Sequence, residues 1–200
     1  MIGADGNGAL IQKVKALKAG QEAGEIGPLI DQVAVDRVNR YVAQAEKDGC
    51  KLLVDGRSWM QGKGFYFGPT VILHTNPKDP AMTEEIFGPV LSVYVCQSHE
   101  EAIAIENANP FGNAAAIYTS SGKWAGFYTK RFQAAMLGVN IGIPVPREPF
   151  SFGGMNASKF GDCDMTGEDG IGLFTLRKKI TQKFAPVTDK DDYVAANFTR

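Results

Sequence analysis

A carboxylate and an aromatic ring stand two positions apart at Glu85 and Phe87, immediately before an apolar, β-rich run. Side chains two residues apart in an extended segment point to the same side, so the sequence predicts that both face one cleft. Gly88 permits a backbone conformation that other residues avoid, and Pro89 fixes the next φ angle. The stretch therefore predicts a rigid corner that presents one hydrogen-bond acceptor and one flat apolar face. The alternative is a solvated surface turn that binds no ligand.

The elements that must position this corner alternate between helix and strand. Strands are predicted at residues 51–54, within 62–73, and at 90–96, 114–119 and 139–141, and helices after Asp31, Ser98 and Ser121. Asp31 and Ser98 are predicted N-caps, and Gly49 is predicted to end the first of these helices. A strand-helix-strand order implies right-handed crossovers. The sequence therefore predicts an α/β fold with a mostly parallel sheet and flanking helices.

The composition of the 200 residues excludes several functional classes. A formal net charge of −1 argues against a nucleic-acid binder, and no apolar run approaches the roughly 20 residues that span a bilayer. Three cysteines, Cys50, Cys96 and Cys163, stand at wide spacings, which predicts free thiols in a reducing compartment. His74 and His99 each lack a second ligand at metal-binding spacing. The sequence therefore predicts no metal site.

The C-terminal quarter of the chain has a different character from the rest. Residues 143–172 are rich in proline and glycine and show no clear periodicity, which indicates a functional loop. Residues 173–184 are predicted to form one long strand whose charged positions mark an exposed edge. An edge of this kind invites pairing with another chain. Residues 185–200 are polar and are predicted to form a flexible tail.

The seven residues from Glu84 to Val90 read EEIFGPV, and this sequence resembles a motif of the aldehyde dehydrogenase superfamily. The segment from Gly64 to Val71 resembles a second family segment, in the correct order before the first. In that family the second glutamate accepts hydrogen bonds from the nicotinamide-side ribose of NAD, and the phenylalanine packs beside it. The resemblance implies NAD as the cofactor, with Glu85 binding the ribose and Phe87 packing near the ribose and the nicotinamide.

Residues 137–146, LGVNIGIPVP, and the following PFSF at residues 149–152 are similar to the methylmalonate-semialdehyde (malonate-semialdehyde) dehydrogenase branch. This resemblance extends over about residues 9–184. It implies an enzyme that oxidises a small semialdehyde with a cysteine thiolate and NAD, and transfers the acyl group to coenzyme A, as in valine and pyrimidine catabolism. Phe152 matches an aromatic of the substrate pocket in the wider family. Phe150 is a second candidate, with a packing anchor as its alternative role.

The same resemblance places the catalytic cysteine outside this chain. In the family it lies in a G-Q-x-C motif upstream of the point that corresponds to Met1, and none of the three cysteines here has that motif. The resemblance therefore implies that residues 1–172 are the C-terminal part of the catalytic domain. Residues 173–184 would be an oligomerisation strand. The chain is expected to contain no catalytic residue and to be inactive alone.

Two interpretations of the chain stay open at this point. In the first, it is an enzyme fragment that needs its missing N-terminal half and forms homo-oligomers through residues 173–184. In the second, it is a non-catalytic subunit or truncated product that pairs with full-length subunits through the same strand. The sequence shows no targeting segment. The resemblance implies a mitochondrial location for a eukaryotic source, and a cytoplasmic location otherwise.

Overall fold

The computed structural model describes residues 6–62 and 64–182. The helices are α1 (Gly6–Ala16), α2 (Gln32–Lys47), α3 (Pro80–Thr83), α4 (His99–Ala108), α5 (Gly122–Thr129) and α6 (Gly167–Phe174), with a 3₁₀ turn at Arg57–Gln61. The strands are β1 (Lys51–Val54), β2 (Thr70–His74), β3 (Val90–Tyr94), β4 (Phe111–Gly112), β5 (Ala114–Ile117), β6 (Met136–Val139) and β7 (Met155–Asn156).

The three-stranded sheet has the order β1-β2-β3, with β1 antiparallel and β3 parallel to the central β2. Val71 and Ile72 of β2 are fully buried, as expected for a strand covered on both faces. Helix α2 packs onto this sheet through Val35, Val38 and Val42, which recur at helical spacing on its buried face. This apolar cluster is the core that supports the Glu84–Val90 corner.

Helix α2 begins and ends where its sequence predicts. Asp31 lies just before it in extended conformation, and its Oδ1 accepts a hydrogen bond of 2.7 Å from the Ala34 N–H. Gly49 lies beyond the other end with a φ angle of 86°, and its N–H donates to the Glu46 carbonyl. That left-handed conformation favours glycine because it carries no Cβ. The predicted N-cap and the predicted C-terminal glycine are both confirmed.

Helices α4 and α5 and the parallel pair β5–β6 follow β3, and residues of α4, α5 and β5 line one cavity of about 310 Å³. Ser98 caps α4 by accepting a 3.0 Å hydrogen bond from the Glu101 N–H, as its sequence predicts. The His99 ring stacks on Trp124 of α5 with 3.7 Å between ring centroids, and its Nδ1 lies 2.7 Å from the Tyr128 hydroxyl. These aromatic contacts join α4 to α5.

The short antiparallel pair β4–β7 brings the loop around residues 152–160 to the end of α4. Two further contacts fix it: the Ala157 N–H donates to the Pro110 carbonyl at 2.9 Å, and the Gly112 N–H donates to Ser158 Oγ at 3.2 Å. The loop is thereby placed opposite the Glu84–Val90 corner.

The α/β class is confirmed, and the predicted sheet is divided into three separate sheets. The β2–β3 and β5–β6 pairs are parallel, as expected, whereas β1–β2 and β4–β7 are antiparallel. Within residues 6–62 and 64–182, no helix combines the length and the apolar character that crossing a membrane requires.

The prediction of a strand at residues 173–184 is wrong for its first two residues, since α6 extends to Phe174. Three glycines in this helix lower its intrinsic helix propensity, which hid it in the sequence. Residues 175–182 adopt no regular strand. Thr175 has an extended backbone, but a strand is defined by pairing, and the described part of this chain offers no neighbouring strand. Residues 183–184 and the predicted tail at 185–200 lie outside the described residues.

Candidate functional site

A cavity of about 610 Å³, here called the Glu85 cavity, opens between the corner, the end of α4 and the loop after β7. Its volume falls within the range of roughly 300–1,000 Å³ that is typical of small-molecule sites. It is lined by Thr83, Glu84, Glu85, Glu106, Asn109, Phe111, Asn113, Ala114, Phe152, Ala157, Ser158 and Phe160. The structure thus brings Glu85 and Phe152 into one cavity, although 66 positions separate them in the sequence.

The two adjacent glutamates of the corner have different partners. The Tyr41 hydroxyl of α2 donates a hydrogen bond to Glu84 Oε2, and this bond to the carboxylate raises the pKa of Tyr41. The Glu85 carboxylate is exposed and accepts no hydrogen bond from the residues that the structure describes. Because a carboxylate is an acceptor-only group, Glu85 is the one of the two that is available to a ligand with hydroxyl donors.

Phe87 does not face the same cleft as Glu85, so that prediction is wrong. The alternation argument assumes an extended chain, but Phe87 has a φ angle of 54°, in the left-handed region. Its ring is 75% exposed and lines a second pocket of about 520 Å³, shared with Arg37 and Pro28. Ile86, between them, is buried, and its carbonyl accepts a hydrogen bond from Arg37 Nε at 3.3 Å. The corner presents its two side chains to different pockets.

The two phenylalanines predicted for a substrate pocket lie in different environments. Phe152 is half-buried in the wall of the Glu85 cavity, and its backbone is fixed by hydrogen bonds to Thr166 Oγ1 and the Met165 N–H. Phe150 is 71% exposed and lies outside that cavity. Of the two, only Phe152 lines the Glu85 cavity. The substrate role of either residue stays a prediction.

The loop that carries Phe152 is closed by short contacts. A Cβ on Gly154 would lie 2.8 Å from the Ser158 carbonyl oxygen, so only glycine fits this approach. Lys159 Nζ forms an ion pair with Asp164 at 2.8 Å, and the carboxylate raises the pKa of the lysine. These contacts give the segment a defined shape with little regular secondary structure.

Two polar residues of the Glu85 cavity were missed in the sequence. Burial raises the pKa of Glu106, which lies in the last turn of α4. Asn109 accepts a 2.9 Å hydrogen bond from the Phe111 N–H, and its side-chain amide donates to the Met82 carbonyl. The signal for Asn109 was the Asn-Pro turn after the helix; Glu106 reads as an ordinary polar position at a helix end, and nothing in the sequence marks its burial.

The sequence predicts no metal site, but the structure brings two further side chains with possible ligand atoms beside His74. Its Nδ1 lies 2.8 Å from Asp79 Oδ2 and 3.5 Å from Cys50 Sγ. Asp79 follows His74 by only five residues, across the turn between β2 and α3, whereas Cys50 lies 24 residues before His74 in the sequence. Cys50, Cys96 and Cys163 all lie outside the Glu85 cavity and are free thiols.

Comparisons of this chain with known sequences and solved structures agree on one protein family. The sequence model of the aldehyde dehydrogenase family matches residues 6–180. Malonate-semialdehyde dehydrogenase 2 of Shouchella clausii (strain KSM-K16) is 42% identical over 160 residues, which are 80% of this chain and 33% of that protein. This chain therefore spans about a third of the length of the curated relatives that it matches.

Solved structures agree with the sequence similarities. Methylmalonate-semialdehyde dehydrogenase (DddC) from Oceanimonas doudoroffii superimposes with a TM-score of 0.86 at 34% identity, over 92% of this chain and 39% of that one. An aldehyde dehydrogenase from Mycobacterium tuberculosis, solved with NAD+, superimposes with a TM-score of 0.81 at 28% identity, over 92% and 38% of the respective chains.

Proposed function

The chain belongs to the aldehyde dehydrogenase family, and from that premise we propose that it is the C-terminal part of an NAD-dependent, CoA-acylating dehydrogenase of malonate or methylmalonate semialdehyde. The observation that carries the proposal is the Glu85 cavity, in which the exposed Glu85 carboxylate and the half-buried Phe152 ring share one space. The names of the similar proteins support the substrate class.

The residues of the corner suit the sugar of a dinucleotide. Glu85 offers two carboxylate oxygens to a pair of ribose hydroxyls, whereas Glu84 is held by Tyr41. Phe87 exposes its ring in a second pocket, against which an apolar or aromatic group can pack. NAD, when bound, would supply the hydride acceptor of the oxidation. The part of this chain is to fix the cofactor's position.

The substrate side of the proposal rests on Phe152, with Phe150 as the weaker candidate. An aromatic wall excludes water from a reacting aldehyde, which favours reaction with a thiol over hydration. The free cysteines of this chain lie outside the Glu85 cavity, which supports the proposal that the nucleophile comes from a segment beyond this sequence. The chain alone is therefore expected to be inactive, and coenzyme A is proposed as the acyl acceptor of the complete enzyme.

The decisive experiment is a chimera in which this chain replaces the C-terminal part of the Shouchella clausii relative. The chimera is expected to oxidise malonate semialdehyde in the presence of NAD and coenzyme A, and the purified chain alone is expected to show no turnover. Changing Glu85→Gln in the chimera should raise the KM for NAD by about 10-fold or more, since it weakens a charge-assisted hydrogen bond.

Glu84→Gln is the matched control, because that carboxylate is already bonded to Tyr41. A chimera in which both substitutions change the KM for NAD equally would contradict the role given to Glu85. Turnover by the purified chain itself would contradict the proposal that its nucleophile lies elsewhere.

A second candidate function is a non-catalytic subunit that associates with full-length subunits. The observation that favours it is the exposure of apolar side chains after α6: Phe174 is 84%, Leu176 99% and Ile180 68% exposed. Apolar groups exposed in succession mark interaction surfaces. The proposed partners are the missing N-terminal half, full-length subunits or a second copy of the chain, through residues 173–184.

Sedimentation tests this association. The unmodified chain is expected to sediment above its monomer mass of 21.6 kDa, and replacing Leu176 and Ile180 by lysine should reduce the mass toward the monomer. Val33→Lys is the matched control, since Val33 is also exposed and lies far from this segment in the sequence. A monomer before and after the double substitution would exclude self-association through this segment.

A further inference from the structure

Three side chains with metal-ligating atoms converge at one end of the three-stranded sheet. Cys50 immediately precedes β1, His74 ends β2, and Asp79 immediately precedes α3. Cys50 Sγ lies 3.5 Å from His74 Nδ1 and 3.3 Å from Asp79 Oδ2, and Nδ1 lies 2.8 Å from Oδ2. Cys50 is 7% and His74 3% exposed. The cluster is therefore a triangle of one sulfur, one nitrogen and one oxygen, with Cys50 and His74 buried and Asp79 partly exposed.

Hydrogen bonding on the far side of the His74 ring defines which nitrogen is free. Ser92 Oγ lies 2.8 Å from the Ala81 carbonyl, which can only accept, so the single hydroxyl proton is donated there. His74 Nε2 lies 3.1 Å from the same Oγ and must therefore donate its own proton to it. Ser92 thus fixes the ring with Nε2 protonated and Nδ1 turned toward Cys50 and Asp79.

We propose that Cys50, His74 and Asp79 form a binding site for a divalent transition-metal ion, with zinc as the best fit to the ligand set. A tetrahedral zinc with bonds of about 2.0–2.3 Å holds its sulfur, nitrogen and oxygen ligands roughly 3.4–3.6 Å apart. The triangle of the three ligand atoms is at most about 0.6 Å smaller on any side. Small side-chain movements therefore convert it into a zinc site.

The hydrogen bonds around His74 match those that usually hold a metal-binding histidine in place. A ligating histidine donates its other ring N–H to an oxygen acceptor, which fixes both tautomer and ring orientation. The His74–Ser92–Ala81 chain provides this arrangement. On binding, the metal replaces the thiol proton of Cys50 and the proton between Nδ1 and Oδ2, and both protons leave to solvent.

The coordination of such an ion would be completed by water. A zinc ion with three protein ligands takes a fourth, and water is the usual one. A cavity of about 10 Å³ borders Asp79 and Ala81, which is roughly the space that one water molecule occupies. Asp79 is the most exposed of the three ligands, so water reaches the cluster most readily from its side.

A nucleophilic Cys-His-Asp arrangement is the competing interpretation, and the environment of the thiol opposes it. Burial and the hydrogen bond to Asp79 raise the pKa of the Cys50 thiol, whereas a nucleophile needs a lowered pKa and access to a substrate. A bound metal ion offsets both effects, because its positive charge stabilises the Cys50 thiolate beside the Asp79 carboxylate. The site would join the segments before β1, after β2 and before α3, and its role would be to stabilise the fold.

Cobalt titration of the purified 200-residue chain tests the site. A thiolate-to-cobalt charge-transfer band in the near ultraviolet should saturate at one cobalt ion per chain, and added zinc should abolish it. Cys50→Ser should remove the band, whereas Cys96→Ser and Cys163→Ser should retain it. Zinc should raise the thermal midpoint of the unmodified chain but leave that of Asp79→Asn unchanged.

Ser92→Ala keeps all three ligands and removes only the hydrogen bond to Nε2, so it tests the site even if Cys50→Ser does not fold. It is expected to weaken cobalt affinity by about 10–100-fold. Absence of a saturating band, or a band that survives in Cys50→Ser, would overturn the proposal. Equal affinity in Ser92→Ala and the unmodified chain would overturn the role of the serine.

Discussion

The core around α2 and β2 and the C-terminal segment at residues 143–182 use apolar side chains in opposite ways. In the core, Val38, Val42 and Ile72 have no exposed surface. In the C-terminal segment, Phe160 and Leu176 are almost completely exposed. The first region is stabilised by burying its own side chains, whereas the second leaves them on the surface. An apolar surface of this kind is typical of a region that another protein covers.

The two regions also hold their backbones differently. The core uses strand ladders and a capped helix of 16 residues. The C-terminal segment uses a two-residue strand, a short glycine-rich helix and individual contacts such as the Lys159–Asp164 ion pair. Partly exposed ion pairs contribute little to stability. The segment around Phe152 therefore depends on its neighbours more than the core does.

The largest expected effect is on the free energy of unfolding, and it is tested by truncating one apolar side chain in each region. Ile72→Ala should lower the free energy of unfolding by about 2–5 kcal/mol, because it leaves a cavity in a closely packed core. Leu176→Ala should change it by less than about 0.5 kcal/mol at a dilution where the chain is monomeric. Urea unfolding measures both. Equal losses in the two variants would show that the C-terminal segment packs against the core in solution.

An intermediate effect is expected at the start of α2. Asp31→Ala removes the acceptor for the Ala34 N–H and should cost about 1 kcal/mol in the free energy of unfolding. Asp36→Ala is the control, since Asp36 is exposed and bonds only Gln32 within the described residues. If the two variants lose the same stability in urea unfolding, the cap does not stabilise the core helix.

The smallest effect is a pH dependence at the Glu85 cavity. Burial raises the pKa of Glu106 in the folded chain above its unfolded value. Burying the protonated Glu106 carboxyl costs little, whereas burying the carboxylate is unfavourable. The free energy of unfolding is therefore highest below the unfolded pKa of Glu106 and falls as the pH rises through its folded pKa. Glu106→Gln should remove this loss in urea unfolding followed upward from about pH 4, the ordinary range of a glutamate pKa. Glu100→Gln, on the exposed start of α4, should leave the loss in place, and the same pH curve in all three proteins would contradict the assignment.

Local patterns predicted the parts of the fold that depend on neighbours in sequence. The caps at Asp31 and Ser98, the glycine after α2 and the strands before and after the corner follow from hydrogen-bonding capacity and apolar spacing. Helix α6 was missed because its glycines weaken the local signal. The strand predicted at residues 173–184 depends on a partner, and the described chain supplies none.

By itself the sequence determined the family, the α/β class and the corner with its available carboxylate, because these reside in residue types and short spacings. Only the tertiary structure decided that Phe87 turns away from Glu85, that Phe152 and Glu106 join Glu85 in one cavity, and that Cys50, His74 and Asp79 meet. These facts depend on a left-handed backbone angle and on contacts between segments far apart in the chain. Such contacts are set by packing, which no local pattern specifies.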